Sequence, residues 1–418
     1  MYGSLRSKLL AILLRKIFNY IFTAMFSQQE TKYKSTSNAR RRLAELGACI
    51  LSLFLMYSIV YVLYKQPKVL PPLDILQEVY PVSAPTVEMD TVLDLIPDLE
   101  EQENINYRPI IGVLSQELPP TRDHILPGAS YIAVGYVKWI ESAGARVVPI
   151  IINSNQNYTK IFHSINGLVI PGGATSPQHS EFARVARLFL EMAKVAAEAG
   201  DEFPVWGECL GFELMVFNTV VQRPVFNRCD TFDAALPLIL EDWKESRMFG
   251  QADPGTLDVM QTKNISPHFH RWCLLKDDFH RLKLGEYWRP TASNIDRNGL
   301  EHYTALEARD YPFYALMFHP EKVSFEWTKK FESIPRSREA KMIARYFGDF
   351  LIELAMKNKH RFNSRSEEEF YLITPHQQVY TGSYKGVKWT YESVYIFENN
   401  LDIHAFNMNL NQKLSGQS

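Results

Sequence analysis

Cys209 stands between two glycines in the stretch Phe203-Pro-Val-Trp-Gly-Glu-Cys-Leu-Gly-Phe-Glu-Leu-Met215. A cysteine becomes a nucleophile when the backbone raises it above its surroundings, and the flanking residues predict that here. Val205 and Trp206 read as the end of a buried strand, and Phe212, Leu214 and Met215 begin a helical spacing. The two together predict a nucleophile elbow, with Gly207 and Gly211 letting neighbouring backbone pass close to the turn. The N-terminus of the following helix favours thiolate, so a thiol pKa below the free value of roughly 8.5 is expected. The plainer alternative is a buried structural cysteine.

A cysteine nucleophile needs a base. His319, in Tyr314-Ala-Leu-Met-Phe-His-Pro-Glu321, follows an apolar run that reads as a strand stopped by Pro320. Glu321, two residues on, can lie beside the imidazole in extended backbone and orient it. An oxyanion would rest on backbone N–H groups, one from Leu210 and one from Gly173 in the Pro171-Gly-Gly173 turn.

These groups require a scaffold of alternating strands and helices. Pro109–Leu114 reads as a first buried strand, Tyr131–Ile140 as a helix closed by Gly144, and Arg146–Ile152 as a second strand. Ile165–Ile170 adds a strand running into Pro171-Gly-Gly173, Phe182–Ala197 a helix, and the next strand leads to Cys209. The expected fold is α/β, a mostly parallel sheet with helices on both faces and its active groups at the carboxyl ends of strands. Pro335–Lys357 is helical in spacing, and Glu367-Glu-Glu369 is expected to be a solvated turn.

The chain has 418 residues, 46% of them hydrophobic, and a net charge of -2, which offers no basic footprint for nucleic acid. Residues 1–45 form a basic extension, and 46–64 an apolar run fit for a signal anchor or a cleaved signal segment. Arg40, Arg41 and Arg42 precede that run, which predicts a cytoplasmic N-terminus and a luminal remainder. Residues 65–105 are a linker rich in proline and acid, 106–397 the catalytic domain and 398–418 a loosely held tail. Asn157 and Asn264 begin glycosylation triplets suited to a luminal domain. Of four cysteines, Cys49 lies in the apolar run, while Cys229 and Cys273 could pair or remain buried thiols.

Pro-Gly-Gly, Gly-x-Cys-x-Gly and His-Pro-Glu, in this order, resemble the class I glutamine amidotransferase-like group, whose fold is flavodoxin-like. Within it the chain most resembles the γ-glutamyl hydrolases, or folylpolyglutamate hydrolases. The residues concerned are Pro109–Leu114, Glu141–Pro149, Ser164–Gly167, Pro171–Gly173, Phe203–Gly207, Cys209–Glu213, Phe269–Trp272, His319–Lys322 and Ser366–Glu369. The resemblance implies Cys209 as nucleophile, His319 as catalytic histidine, Glu321 as its acidic partner and His270 as a second histidine of the cleft. It also implies hydrolysis of γ-glutamyl bonds in folate polyglutamates through a thioester, no metal or cofactor, a lysosomal, vacuolar or secreted address, and a homodimer. A glutaminase-type amidotransferase domain and a membrane-anchored binding protein of the same fold are the alternatives. Glu208 departs from the small polar residue that the family commonly has before its nucleophile. A carboxylate there could raise the thiol pKa, although strand alternation should turn it away from Cys209. A polyanionic tail calls for Lys or Arg in the cleft, and Lys138 and Arg271 lie near the motifs.

Overall fold

A computed structural model describes residues 105–118, 129–219, 225–382 and 390–398. The chain divides into two units, 1–91 and 92–418, and the described residues belong to the second. The basic extension, the 46–64 run, the linker and the tail lie outside the described residues, but for Ile105 and Glu398. Among the described residues no helix is long and apolar enough to cross a membrane.

Short runs of β-branched and apolar residues, buried on both faces, form the parallel half of the sheet. Ile110–Leu114 lies between Arg146–Ile150 and Gly167–Ile170, parallel to both. Gly167–Ile170 pairs with Val205–Glu208, and that strand with Phe313–Leu316, again in parallel. Beyond them the sheet turns antiparallel through Glu301–Ala308, Trp272–Leu275 and the edge strand Asn227–Arg228, with Trp288–Ile295 also on Glu301–Ala308. The pleat sorts side chains between two cores. Ile111, Val113, Val169 and Trp206 join the helices Val134–Ser142 and Arg338–Lys357 on one face. Ile110, Leu114, Leu168, Ile170 and Val205 join Glu181–Glu198 and Leu210–Phe217 on the other. The two long helices are amphipathic and begin at serine caps, Ser180 accepting from the Ala183 N–H and Ser337 from that of Ala340.

The mostly parallel α/β sheet with helices on both faces is the fold expected from the sequence, and three local expectations are corrected. Ser130–Ala133 is a strand, pairing with Ser393–Phe397 and Gln116–Glu117, so the helix starts only at Val134. Pro320 begins rather than ends an element: it is the first residue of the helix Pro320–Phe325, where its missing N–H costs nothing. Glu367-Glu-Glu369 lies in the helix Arg365–Tyr371, where Glu368 pairs with Arg108 and Arg146 and Glu367 with Lys160.

Candidate active site

Cys209 follows Val205–Glu208 directly and caps the helix Leu210–Phe217, with φ 51° and ψ -102°. A non-glycine residue there is strained, and the surrounding bonds hold it. Its N–H donates to the Leu316 carbonyl at 2.8 Å and its carbonyl accepts from the Glu213 N–H at 2.9 Å. The flanking glycines are needed for space. A Cβ on Gly211 would lie 2.1 Å from the Ile170 carbonyl oxygen, and one on Gly207 would lie 2.9 Å from the Gly211 backbone.

His319 caps Pro320–Phe325 just beyond the adjacent parallel strand, and its N–H donates to the Pro267 carbonyl at 3.0 Å. The first helical turn, rather than extended backbone, brings Glu321 round, so that His319 Nδ1 lies 2.9 Å from Glu321 Oε1. With the Nδ1 proton donated there, Nε2 is left as an acceptor. A Cβ on Gly172 would lie 2.6 Å from His319 Cε1 and 3.1 Å from Cys209 Cβ, so imidazole and cysteine meet across a bare glycine.

The turn Gly172-Gly173 is itself fixed. The Gly172 N–H donates to Tyr136 Oη at 2.8 Å, and its carbonyl accepts from Gln116 Nε2 at 2.8 Å and Tyr391 Oη at 3.4 Å. Tyr136 Oη also lies 3.5 Å from His319 Nδ1. Gly173, Cys209 and His319 line a cleft of about 180 Å³ with Phe232, Phe269 and Tyr391 as aromatic walls. Lys322 and Lys330 supply its positive charge. Lys322 is buried, with Nζ 3.4 Å from Glu321 Oε1 and 4.2 Å from the Tyr391 ring centre, yet has no hydrogen-bond partner among the described residues. A larger hollow, about 900 Å³ and lined by Tyr314, Arg247 and Glu353, contains none of these groups.

Burial sets the protonation states. It pushes the Cys209 thiol up rather than down, with Glu213 adding to the rise and Lys322 and the Leu210 N–H opposing it. The lowered thiol expected from the helix N-terminus is therefore corrected: removing the sulfur from water outweighs eight residues of helix dipole. Burial, with Lys322, lowers His319 against the pull of Glu321. The resting pair is neutral thiol and neutral imidazole. Glu213, one turn beyond the nucleophile, is raised by burial to about 7. Burial also holds Glu208 well above the carboxylate range, and Glu321 adds to this. Glu208 thus faces Glu321, and the carboxylates acting on the thiol are Glu213 first and Glu321 after it.

The structure brings together Cys209, His319, Glu321, Gly173 and Leu210. It does not bring His270 into the cleft wall. Phe269 lies there, while His270 turns to His268 Nδ1 at 3.0 Å and the Trp272 carbonyl at 2.9 Å, beside the Cys229–Cys273 disulfide. Arg271 stacks on Phe232 and Lys138 is exposed on its helix. Asn157 and Asn264 are both exposed. Among the described residues two clusters have donor atoms within 4.8 Å of one another, Glu208–His319–Glu321 and Cys229–His270–Cys273. In the second the sulfurs are bonded to each other, and in the first the His319–Glu321 hydrogen bond takes His319 Nδ1 and Glu321 Oε1. Sequence reasoning passed over Glu213 and Lys322, although each ends a motif it singled out. Tyr136, Gln116 and Tyr391 carried no such signal.

A cysteine at a strand-to-helix elbow, with a His-Glu pair at the end of the neighbouring parallel strand, defines a cysteine hydrolase of the class I glutamine amidotransferase-like type. Residues 109–221 match the family model Peptidase C26. The chain is 38% identical over 292 residues to the gamma-glutamyl hydrolase of Rattus norvegicus, covering 69% of this chain and 90% of the relative. With the human gamma-glutamyl hydrolase the identity is 35% over 296 residues, covering 70% and 90%. With gamma-glutamyl hydrolase B of Dictyostelium discoideum it is 30% over 327 residues, covering 77% and 92%. The chain belongs to the γ-glutamyl hydrolase family.

Proposed function

We propose that this chain hydrolyses the γ-glutamyl amide bonds of folate polyglutamates by acyl transfer to Cys209. The observation that carries the mechanism is the placement of His319, tied to Glu321 through Nδ1 and facing Cys209 across Gly172. His319 Nε2 takes the thiol proton as Sγ bonds to the γ-carbonyl carbon. The oxyanion rests on the Leu210 and Gly173 N–H groups. The C–N bond breaks as His319 returns the proton to the departing glutamate nitrogen, leaving a thioester. Water then attacks, His319 takes its proton, and Sγ leaves and is reprotonated. Glu321 stabilises the imidazolium formed in each half. Lys322, buried and with no hydrogen-bond partner for its Nζ among the described residues, meets a substrate carboxylate, and the aromatic walls suit the apolar part of a folate.

A luminal or extracellular address belongs to this proposal. It is supported by the Cys229–Cys273 disulfide, which persists in oxidising compartments, and by the exposure of Asn157 and Asn264 as glycan acceptors. The 46–64 run would tether the domain to the membrane unless it is cleaved, and two copies would form a homodimer. Carbonate extraction of membranes and sedimentation test these two points.

The full chain is incubated with folate pentaglutamate beside Cys209→Ala, and products are resolved by chromatography. Shortened folates are expected from the wild type alone. A folded wild type that releases none between acid and neutral pH would overturn the hydrolase and favour a binding protein.

A further inference from the structure

Glu208 is fully buried directly before the nucleophile, and the reaction above makes no use of it. Its Oε1 accepts from Trp206 Nε1 at 2.8 Å, which fixes the carboxyl group at the foot of the active site. Its Oε2 has no hydrogen-bond partner among the described residues, and neither has Glu321 Oε2. Yet one oxygen of each carboxyl and a ring nitrogen of His319 fall within 4.8 Å of one another. Two carboxylates that close, out of water, do not both ionise, and the two orphaned oxygens are complementary if a single proton lies between them. The groups around Glu208 decide which carboxyl keeps that proton. Trp206 on its own strand offers one N–H. His319, Glu321 and Lys322 face it from the helix Pro320–Phe325 and its cap, Tyr136 from Val134–Ser142, and Tyr391 from the segment before Ser393–Phe397. The groups that stabilise a carboxylate, the His319 N–H and Lys322, lie on Glu321.

We infer that Glu208 is a positioning residue: as a neutral carboxylic acid it donates its proton to Glu321 Oε2 and so locks the carboxylate that orients His319. Burial, which raises Glu208, and His319 and Lys322, which oppose the effect of burial on Glu321, agree with that assignment. Where Glu208 loses the proton at high pH, the two carboxylates repel, the bond is lost and His319 loses its orientation. Glu208 then contributes an alkaline limb to the rate profile. This rests on His319 acting as the base.

Two variants of the full chain test it. Glu208→Gln keeps a donor for Glu321 and an acceptor for Trp206 but has no proton to lose. It is expected to hold kcat within about threefold of wild type and to extend activity to higher pH. Glu208→Ala leaves the Trp206 Nε1–H and Glu321 Oε2 unpartnered, and kcat is expected to fall about tenfold with KM unchanged. An independent readout is the infrared carbonyl band of a protonated carboxylic acid. At pH 8, where Glu213 is ionised, the band should be present in wild type and missing from Glu208→Gln. A Glu208→Gln enzyme as slow as Glu208→Ala, an alkaline limb that Glu208→Gln leaves in place, or no difference band would each overturn the inference. If Glu208→Ala does not fold, Glu208→Gln and the band decide alone. Failure to release folate products would count against the hydrolase, while the band still reports the shared proton.

Discussion

At the scale of single residues, the active site is a competition between burial and charge. Cys209 sits in a dry elbow beside Glu213, and both raise its thiol. Glu213, at about 7, is neutral in mild acid and charged above neutrality, so its repulsion of a thiolate switches on as pH rises. Glu213→Gln is therefore expected to speed iodoacetamide labelling of Cys209 on the order of tenfold above pH 7, and to change it little below pH 6. Equal rates at pH 8 would sink this. The same group affects stability. Its folded pKa lies above the unfolded value, so its stabilisation is fully present below the unfolded pKa and lost as pH rises through about 7. The loss amounts to about 3 kcal/mol, which denaturant unfolding of Glu213→Gln at pH 8 should recover. Cys209, His319 and Glu321 were legible in the sequence because each belongs to a motif with its own turn chemistry. The protonation states were not legible. Helix N-terminus and glycine spacing are local signals, whereas desolvation depends on Tyr136 and Tyr391, which arrive from distant elements.

At the scale of elements, two glycines separate building the site from operating it. Gly211 lets the elbow helix lie against the strand Gly167–Ile170, and an added methyl would meet the backbone oxygen of Ile170, which cannot move aside cheaply. Gly211→Ala is expected to destabilise the fold by about 1–3 kcal/mol or more, read by denaturant unfolding. Gly172 faces the reacting groups instead, since its added methyl would meet His319 Cε1 and Cys209 Cβ. Gly172→Ala should fold with near-native stability and lose roughly 10²-fold in kcat, because a shift of about 1 Å in a catalytic pair costs that much. A Gly172→Ala protein of full activity would mean that His319 and Cys209 do not work across this gap. The parallel strands and both long helices were legible because they are long or continuously apolar. Ser130–Ala133 was not, because it is short and owes its state to Ser393–Phe397, more than 250 residues along the chain. Arg365–Tyr371 was misjudged for the converse reason: its acids look like a solvated turn until Arg108, Arg146 and Lys160 are placed opposite them.

At the scale of the whole domain, the antiparallel side of the sheet braces the catalytic side. The Cys229–Cys273 disulfide fastens Asn227–Arg228 and the segment after it to Trp272–Leu275, closing a separation of 44 residues. The stretch leading into Cys273 passes through Phe269, a wall of the cleft, and Pro267, whose carbonyl accepts the His319 N–H. Reduction therefore frees both a long loop of the unfolded chain and the segment on which His319 leans. Loop-closure entropy for that separation is worth about 4 kcal/mol, and native disulfides of this kind are typically worth 2–4 kcal/mol. The double variant Cys229→Ser/Cys273→Ser is expected to lose that much stability. At temperatures well below its melting point it should keep the nucleophile labelled by iodoacetamide, since Cys209 is the free cysteine among the described residues. Activity should fall more steeply than wild type as temperature rises, because the brace for His319 loosens before the parallel core melts. Activity lost in the double variant only in step with global unfolding would show that the disulfide fastens only the sheet edge and does not support the active site.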